Sequence, residues 1–151
     1  LTPLEEDKMA TINAGARPRK RARAGRVLLV EDDPSLADMY ALALEIRGII
    51  VDRAKTAAEG LRLGKHAWAD VILLDIGLPD GSGLDVLKEL RADPGSTQSR
   101  IMMFSNFREP EIISRALELG AAGYLIKADC TPAHLVRKVT ELFRQRPSAA
   151  A

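Results

Sequence analysis

Several things are scarce in this chain, and each shortage excludes a class of protein. A single cysteine, Cys130, stands among 151 residues. That excludes an internal disulfide framework and a cysteine-based zinc site, and it fits a reducing compartment. No apolar run approaches the roughly 18 residues of a membrane span. The first such run starts at Val27 and is only a few residues long, so no signal peptide is legible. The net charge is only +1. Present instead are 46% apolar and 28% charged residues, the balance of a soluble globular protein with a core to bury. The length suits one domain, and a cytoplasmic location is expected.

The small net charge conceals an asymmetry. Residues 1–16 carry Glu5, Glu6 and Asp7 against Lys8, a net of −2, whereas Arg17, Arg19, Lys20, Arg21, Arg23 and Arg26 give residues 17–26 a net of +6. The remaining 125 residues therefore stand at −3. Residues 1–25 show no sustained period and read as a basic, disordered arm. Such an arm can meet nucleic acid or an acidic partner through its charge. It lacks aromatics for base stacking and any helix-turn-helix pattern, so a solvated tail is the preferred reading. Leu1 opens the chain and makes Met9 a candidate natural start, and 147–151 read as a tail.

From Arg26 the pattern is regular. Five short apolar runs, Val27–Val30, Ile49–Val51, Val71–Leu74, Ile101–Phe104 and Tyr124–Ile126, are continuous rather than alternating, as strands buried on both faces are. Helical patterns fill the gaps. Pro34–Arg47 places Leu36, Met39, Tyr40, Ala43, Leu44 and Arg47 on one stripe, with Gly48 as a stop. Thr56–Gly64, Gly83–Ala92, Pro110–Leu119 and Thr131–Arg146 follow. Asp33-Pro34 and Thr131-Pro132 have the form of an N-cap before a first-turn proline. Five strand-helix repeats predict an α/β fold, a doubly wound five-stranded parallel sheet with helices on both faces. Ligands of such sheets bind at the carboxyl ends of the strands.

Those ends are polar. The first strand runs into Glu31-Asp32-Asp33, the third into Asp75, the fourth into Ser105-Asn106 and the fifth into Lys127. Clustered carboxylates need a cation or protons to coexist, and a hard metal such as Mg²⁺ suits oxygen ligands. With a metal and Lys127 beside it, Asp75 is a candidate nucleophile for a phosphoryl group. The Ser105 hydroxyl could then bond one of the transferred oxygens.

The ordered segments VLLVEDD, LLDIGLPDGSG, IMMFS and GAAGYLIK, with 30 residues from Asp75 to Ser105 and 22 from Ser105 to Lys127, resemble the receiver domain of two-component response regulators over residues 26–146. The resemblance implies a flavodoxin-like (βα)5 fold with strand order 2-1-3-4-5. It implies Asp75 as phosphoacceptor and Mg²⁺ held by Asp32, Asp75, the backbone carbonyl of Gly77 and, through water, Glu31. Ser105 would sense the phosphoryl group, Lys127 would pair with it, and Tyr124 would be the switch aromatic. Leu78-Pro79-Asp80-Gly81 matches the turn after the acceptor, with Pro79 fixing φ and Gly81 permitting a tight turn. The implied donor is a histidine kinase or histidine phosphotransfer protein. The implied output is a downstream protein, or a phosphorylation-dependent homodimer, meeting the face over 111–146.

Some positions depart from the common pattern. Asn106 stands where Ala or Gly is usual and is expected to narrow access to Asp75. Ala128 stands where a proline is frequent. Gly77 offers the phosphoryl group no side chain while Phe107 could shield it, and these two act oppositely on acyl-phosphate lifetime. Blander assignments cover the rest. Asp33 is better read as an N-cap than a ligand, Tyr124 is equally well explained by packing, and His66 and His134 read as surface residues. Trp68 is expected over the core's edge, and Cys130 reads as an inert thiol. A signalling receiver rather than an enzyme is the resulting expectation. Its variant is the receiver part of a DNA-binding regulator. An aspartyl-phosphate phosphatase would need a second Asp where Gly77 stands.

Overall fold

The computed structural model describes residues 24–66 and 68–145. The expected arm, except Ala24 and Gly25, and the expected tail over 147–151 lie outside the described residues. Strands β1 (Arg26–Val30), β2 (Ile50–Ala54), β3 (Val71–Leu74), β6 (Arg100–Ser105) and β7 (Gly123–Ile126) pair in parallel in the order β2-β1-β3-β6-β7. Set aside the two-residue strands β4 (Gly77–Leu78) and β5 (Gly81–Ser82), and this is the expected 2-1-3-4-5 order. Helices α1 (Pro34–Glu45), α2 (Ala57–Gly64), α3 (Gly83–Ala92), α4 (Pro110–Glu118) and α5 (Pro132–Arg144) supply the crossovers.

The unbroken apolar runs have a physical reason. Successive strand side chains point to opposite faces, so each central strand feeds two cores. Val27, Leu29, Val71, Leu73, Met102 and Phe104 pack under α1 and α5, while Leu28, Val30, Ile72, Leu74, Ile101 and Met103 pack under α2, α3 and α4. In the first core the rings of Tyr40 and Phe104 meet edge to face, centroids 4.8 Å apart. Helix starts are capped as the sequence suggests. Asp33 accepts the N–H groups of Ser35 and Leu36 ahead of Pro34, and Thr131 accepts that of His134. Helix α4 is different: Glu109 makes no side-chain cap bond, and only Ala116 is buried.

Three expectations need correction. Strand β2 is not buried on both faces: it is an edge strand, and Ile50 is exposed. β7, at the other edge, is half-buried throughout. On α1 the buried stripe is Ala37, Tyr40, Ala41 and Leu44, because the small alanines let the helix sit close to the sheet, and Met39 and Arg47 face water. Trp68 covers no core; it is exposed beside His66, with the Arg26 guanidinium 5.9 Å above its ring. The tight turn expected at Leu78–Gly81 is present as a small hairpin of β4 and β5 around Pro79-Asp80, and Gly81 makes it without a positive φ. Among the described residues Gly48 and Gly120 have a positive φ; Gly48, at φ +81°, ends α1 where a stop is expected. Gly25 already belongs to the domain, its carbonyl accepting the Ile50 N–H at 2.9 Å.

Candidate functional site

The strands run in parallel, so all their carboxyl ends reach one rim, and the residues that follow them gather there. Glu31, Asp75, Ser105 and Lys127 are buried although polar. The Lys127 ammonium sits 2.5 Å from Asp75 Oδ2 and 2.5 Å from Glu31 Oε1. The second oxygen of Asp75 accepts the Ile76 N–H at 2.7 Å. Burial alone would lower the pKa of Lys127, but its hydrogen bond to Asp75 and its ion pair with Glu31 outweigh that and hold it above the ordinary lysine value. The cation is therefore charged at neutral pH.

Asp32 is the exposed member of the group. One oxygen each from Glu31, Asp32 and Asp75 lies within 4.8 Å of the others, so three carboxylates face one ammonium. Glu31 Oε1 is buried and touches Lys127, yet it accepts no well-directed hydrogen bond. The set thus keeps unspent acceptor capacity made wholly of hard oxygen donors, and it fits a divalent cation such as Mg²⁺. Asp33, beside it, is spent on capping α1.

A cleft of about 370 Å³ opens over Asp75, lined by Gly77, Ser105, Asn106, Phe107 and Lys127. The Ser105 hydroxyl closes it from the end of β6 and accepts the Phe107 N–H at 3.4 Å. A Cβ on Gly77 would lie 3.3 Å from the Phe107 ring. The missing side chain and the bulky one are therefore two parts of one arrangement: the ring reaches over the space that Gly77 leaves. Asn106 lines the cleft, but its side-chain oxygen is engaged by the Ala128 N–H at 2.8 Å. The Tyr124 hydroxyl donates to the Phe107 carbonyl at 2.7 Å, tying β7 to the loop after Ser105. Burial is the main reason its phenol pKa is raised, against an opposing hydrogen bond from Ser105.

All seven residues expected from the sequence, Glu31, Asp32, Asp75, Gly77, Ser105, Tyr124 and Lys127, are thus at this rim. Others were missed. A Cβ on Gly83 would lie 1.9 Å from the backbone oxygen of Asp75, so α3 can start against the Asp75 segment only through a glycine. Its signal was a glycine at a first helical position. Asp80 accepts the N–H groups of Ala57 and Ala58 at the start of α2 and has its pKa lowered chiefly by the bond from Ala57. Arg108 grips Asp129 through two bonds of 3.0 and 3.1 Å. The histidines stay apart from the rim: His66 is exposed, and His134 meets Arg137 on α5. Cys130 is buried, and burial pushes its thiol pKa up.

This fold and rim define a receiver domain. Residues 27–140 match the response regulator receiver domain family, and the chain belongs to that family of two-component response regulators. The cell cycle transcriptional regulator CtrA of Caulobacter vibrioides is 40% identical over 102 residues, 68% of this chain and 43% of CtrA. The phosphate regulon transcriptional regulatory protein PhoB of Escherichia coli is 31% identical over 122 residues, 81% of this chain and 53% of PhoB. The chain spans about half the length of the curated relatives it matches. Among solved structures, a CheY-like receiver domain protein of Methanospirillum hungatei aligns with a TM-score of 0.74 at 29% identity, over 80% of this chain and 94% of that one. The signal receiver domain of a NarL response regulator from Mycobacterium tuberculosis gives 0.73 at 31%, over 82% and 99%.

Proposed function

We propose that the chain accepts a phosphoryl group on Asp75 from the phosphohistidine of a histidine kinase or phosphotransfer protein and thereby switches a protein-binding surface. The observation that carries this reading is the buried Asp75 carboxylate bonded to Lys127 at the floor of a cleft that Ser105 also lines. A carboxylate oxygen attacks phosphorus, forming the C–O–P bond of an acyl phosphate as the P–N bond breaks, and the imidazole leaves with the electron pair. Lys127 neutralises charge on the arriving oxygens, and Ser105 donates its hydroxyl proton to one of them.

Asp32, Asp75, the Gly77 backbone carbonyl and, through water, Glu31 are the residues that would hold Mg²⁺. When bound, the ion offsets the negative charge that builds on the phosphoryl oxygens. Drawing Ser105 toward the phosphoryl group disturbs the Phe107 loop, and Tyr124, bonded to the Phe107 carbonyl, follows. The output is a shift between two shapes of the surface formed by Glu111–Leu119 and the segment from Tyr124 through α5. Either a downstream protein or a second copy meets that surface, in the cytoplasm. No helix among the described residues is long and apolar enough to cross a membrane.

The role is that of a phosphoacceptor rather than an enzyme with turnover, because Gly77 places no acid two residues after Asp75. A second reading, the receiver part of a DNA-binding regulator, is supported by relatives that are transcriptional regulators and of which the matched region is about half. In that case nucleic acid is the output partner; otherwise only the basic arm offers it a contact.

Intact mass after incubation with acetyl phosphate, with and without Mg²⁺, tests the proposal. One phosphoryl adduct that requires both Mg²⁺ and Asp75, and is absent from Asp75→Asn, is expected. An adduct on Asp75→Asn would move the acceptor elsewhere, and donor breakdown over many turnovers per chain would point to a phosphatase.

A further inference from the structure

Three side-chain bonds cross from the segment after β6 to the segment around the end of β7. Tyr124 reaches the Phe107 carbonyl, Arg108 grips Asp129, and Asn106 accepts the Ala128 N–H at 2.8 Å. The third differs in its place in the chain. Asn106 follows Ser105 directly, and Ala128 follows Lys127 directly, so this bond joins the peptides adjoining the cleft's hydroxyl and its cation.

The bond also answers a local need. Lys127–Asp129 form a single 3₁₀ turn with no side-chain cap bond, closed by the Cys130 N–H on the Lys127 carbonyl. The early N–H groups of such a turn have no partner within it, and the Asn106 oxygen supplies one to Ala128. The Arg108–Asp129 pair is ionic and more than half exposed on both sides, so salt weakens it; the Asn106 bond is exposed too but neutral, and salt does not screen it. Of the three, only the Asn106 bond joins the residues that directly follow Ser105 and Lys127.

We propose that Asn106 is a positioning residue for Lys127: by accepting the Ala128 N–H it fixes the turn after β7 to the end of β6, and so sets how the ammonium meets the phosphoryl group arriving on Asp75. The inference rests on the reading of Asp75 as acceptor. It also gives Asn106 a task other than narrowing the cleft, since its oxygen is turned to the neighbouring loop.

The test compares the full chain with Asn106→Leu, similar in size but without an acceptor, using acetyl phosphate and Mg²⁺ and reading adduct formation by intact mass. The rate should fall about three- to tenfold, the net worth of the one hydrogen bond that positions Lys127. The Mg²⁺ dissociation constant should change less than about twofold, because no metal-holding residue is altered. Hydrogen exchange at the Ala128 amide should quicken while that of Leu125 within β7 stays as it was, separating lost positioning from general loosening. An unchanged rate overturns the proposal, and so does equal loosening of Leu125.

A second arm separates positioning from direct contact with the phosphoryl group. In a Lys127→Ala background, followed over long incubation, Asn106→Leu should have almost no further effect. The same several-fold loss there would mean that Asn106 acts independently of Lys127 and would overturn the proposal. If Lys127→Ala takes up nothing, the first arm decides. No adduct on the unaltered chain would instead remove the phosphoacceptor reading itself, a failure distinct from any of these.

Discussion

The two rims of the sheet carry the same kinds of charge and use them differently. At the amino rim, Arg26 pairs with Asp52 at 2.9 Å, each side chain 36% exposed. At the carboxyl rim, Lys127 meets Glu31 and Asp75 at 2.5 Å with side chains 8%, 2% and 9% exposed. The separations are close, so the contrast lies in the medium. Charge–charge energy scales inversely with effective dielectric; water screens the first pair, while the second attracts in a buried medium that screens far less. A rim built only for stability would favour apolar packing over such a cluster. The buried charges mark where chemistry is prepared, and the exposed ones keep an edge soluble.

Removing the central cation should break that contrast most severely. Lys127→Ala leaves the carboxylates of Glu31 and Asp75 facing each other, and losing one partner of a buried ion pair costs about 3 kcal/mol where the cleft admits some water. Urea unfolding at neutral pH would read the loss. Added Mg²⁺ should raise the midpoint of the variant more than that of the unaltered chain, because the freed carboxylates take up the cation. The pH dependence has a definite sign. The folded pKa of Lys127 is raised, so its stabilisation is full below the unfolded value of about 10.4 and fades as pH climbs through the folded one. An unfolding midpoint that declines at alkaline pH in the unaltered chain, and less steeply in Lys127→Ala, is expected.

Gly83→Ala comes next. Its Cβ would sit 1.9 Å from the Asp75 backbone oxygen, so α3 or the acceptor segment must shift. Overpacking of this kind costs about 1–3 kcal/mol, and the shift should slow phosphoryl acceptance although no charged group is touched. Chemical unfolding and adduct formation measured together would check it; lost stability without a slowed reaction would show that the helix, not the acceptor segment, absorbs the strain.

The contrast between the rims also explains what the sequence made legible. Buried strands read as unbroken apolar runs, so the residue after each run falls at one rim. That made Asp75, Ser105 and Lys127 recognisable together, and the N-caps at Asp33 and Thr131 followed from side chains that bond their own neighbours. Contacts between loops have no such period. Nothing local in Asn106 announces Ala128, nor Arg108 its grip on Asp129, nor Asp80 its capping of α2 from 23 residues away. Edge position was equally hidden: the runs at Ile49–Val51 and Tyr124–Ile126 resemble the central ones, and only strand order shows that they border the sheet. Trp68 illustrates the same gap: its place just before β3 suggested a cover for the core's edge, and it stands exposed with the Arg26 guanidinium 5.9 Å above its ring.

Asp32→Ala should leave folding almost untouched, because Asp32 is exposed and its neighbours keep their bonds. It should weaken Mg²⁺ binding at least several-fold by removing one of three converging carboxylates. Titration followed by calorimetry would show it, and unchanged affinity would move the metal elsewhere.

The smallest effect belongs to the amino rim. Asp52→Asn removes the ionic partner of Arg26 but keeps a side chain of nearly the same shape. The guanidinium stays hydrated and near Trp68. An exposed pair gives up little when it is broken, so the urea midpoint should move by no more than the scatter of the measurement. Any residual loss should vanish near 1 M salt, where screening acts within about 3 Å. A large, salt-resistant loss would mean that the Arg26–Asp52 pair is coupled to the core through the start of β1. Exposure would then be the wrong variable for distinguishing the two rims.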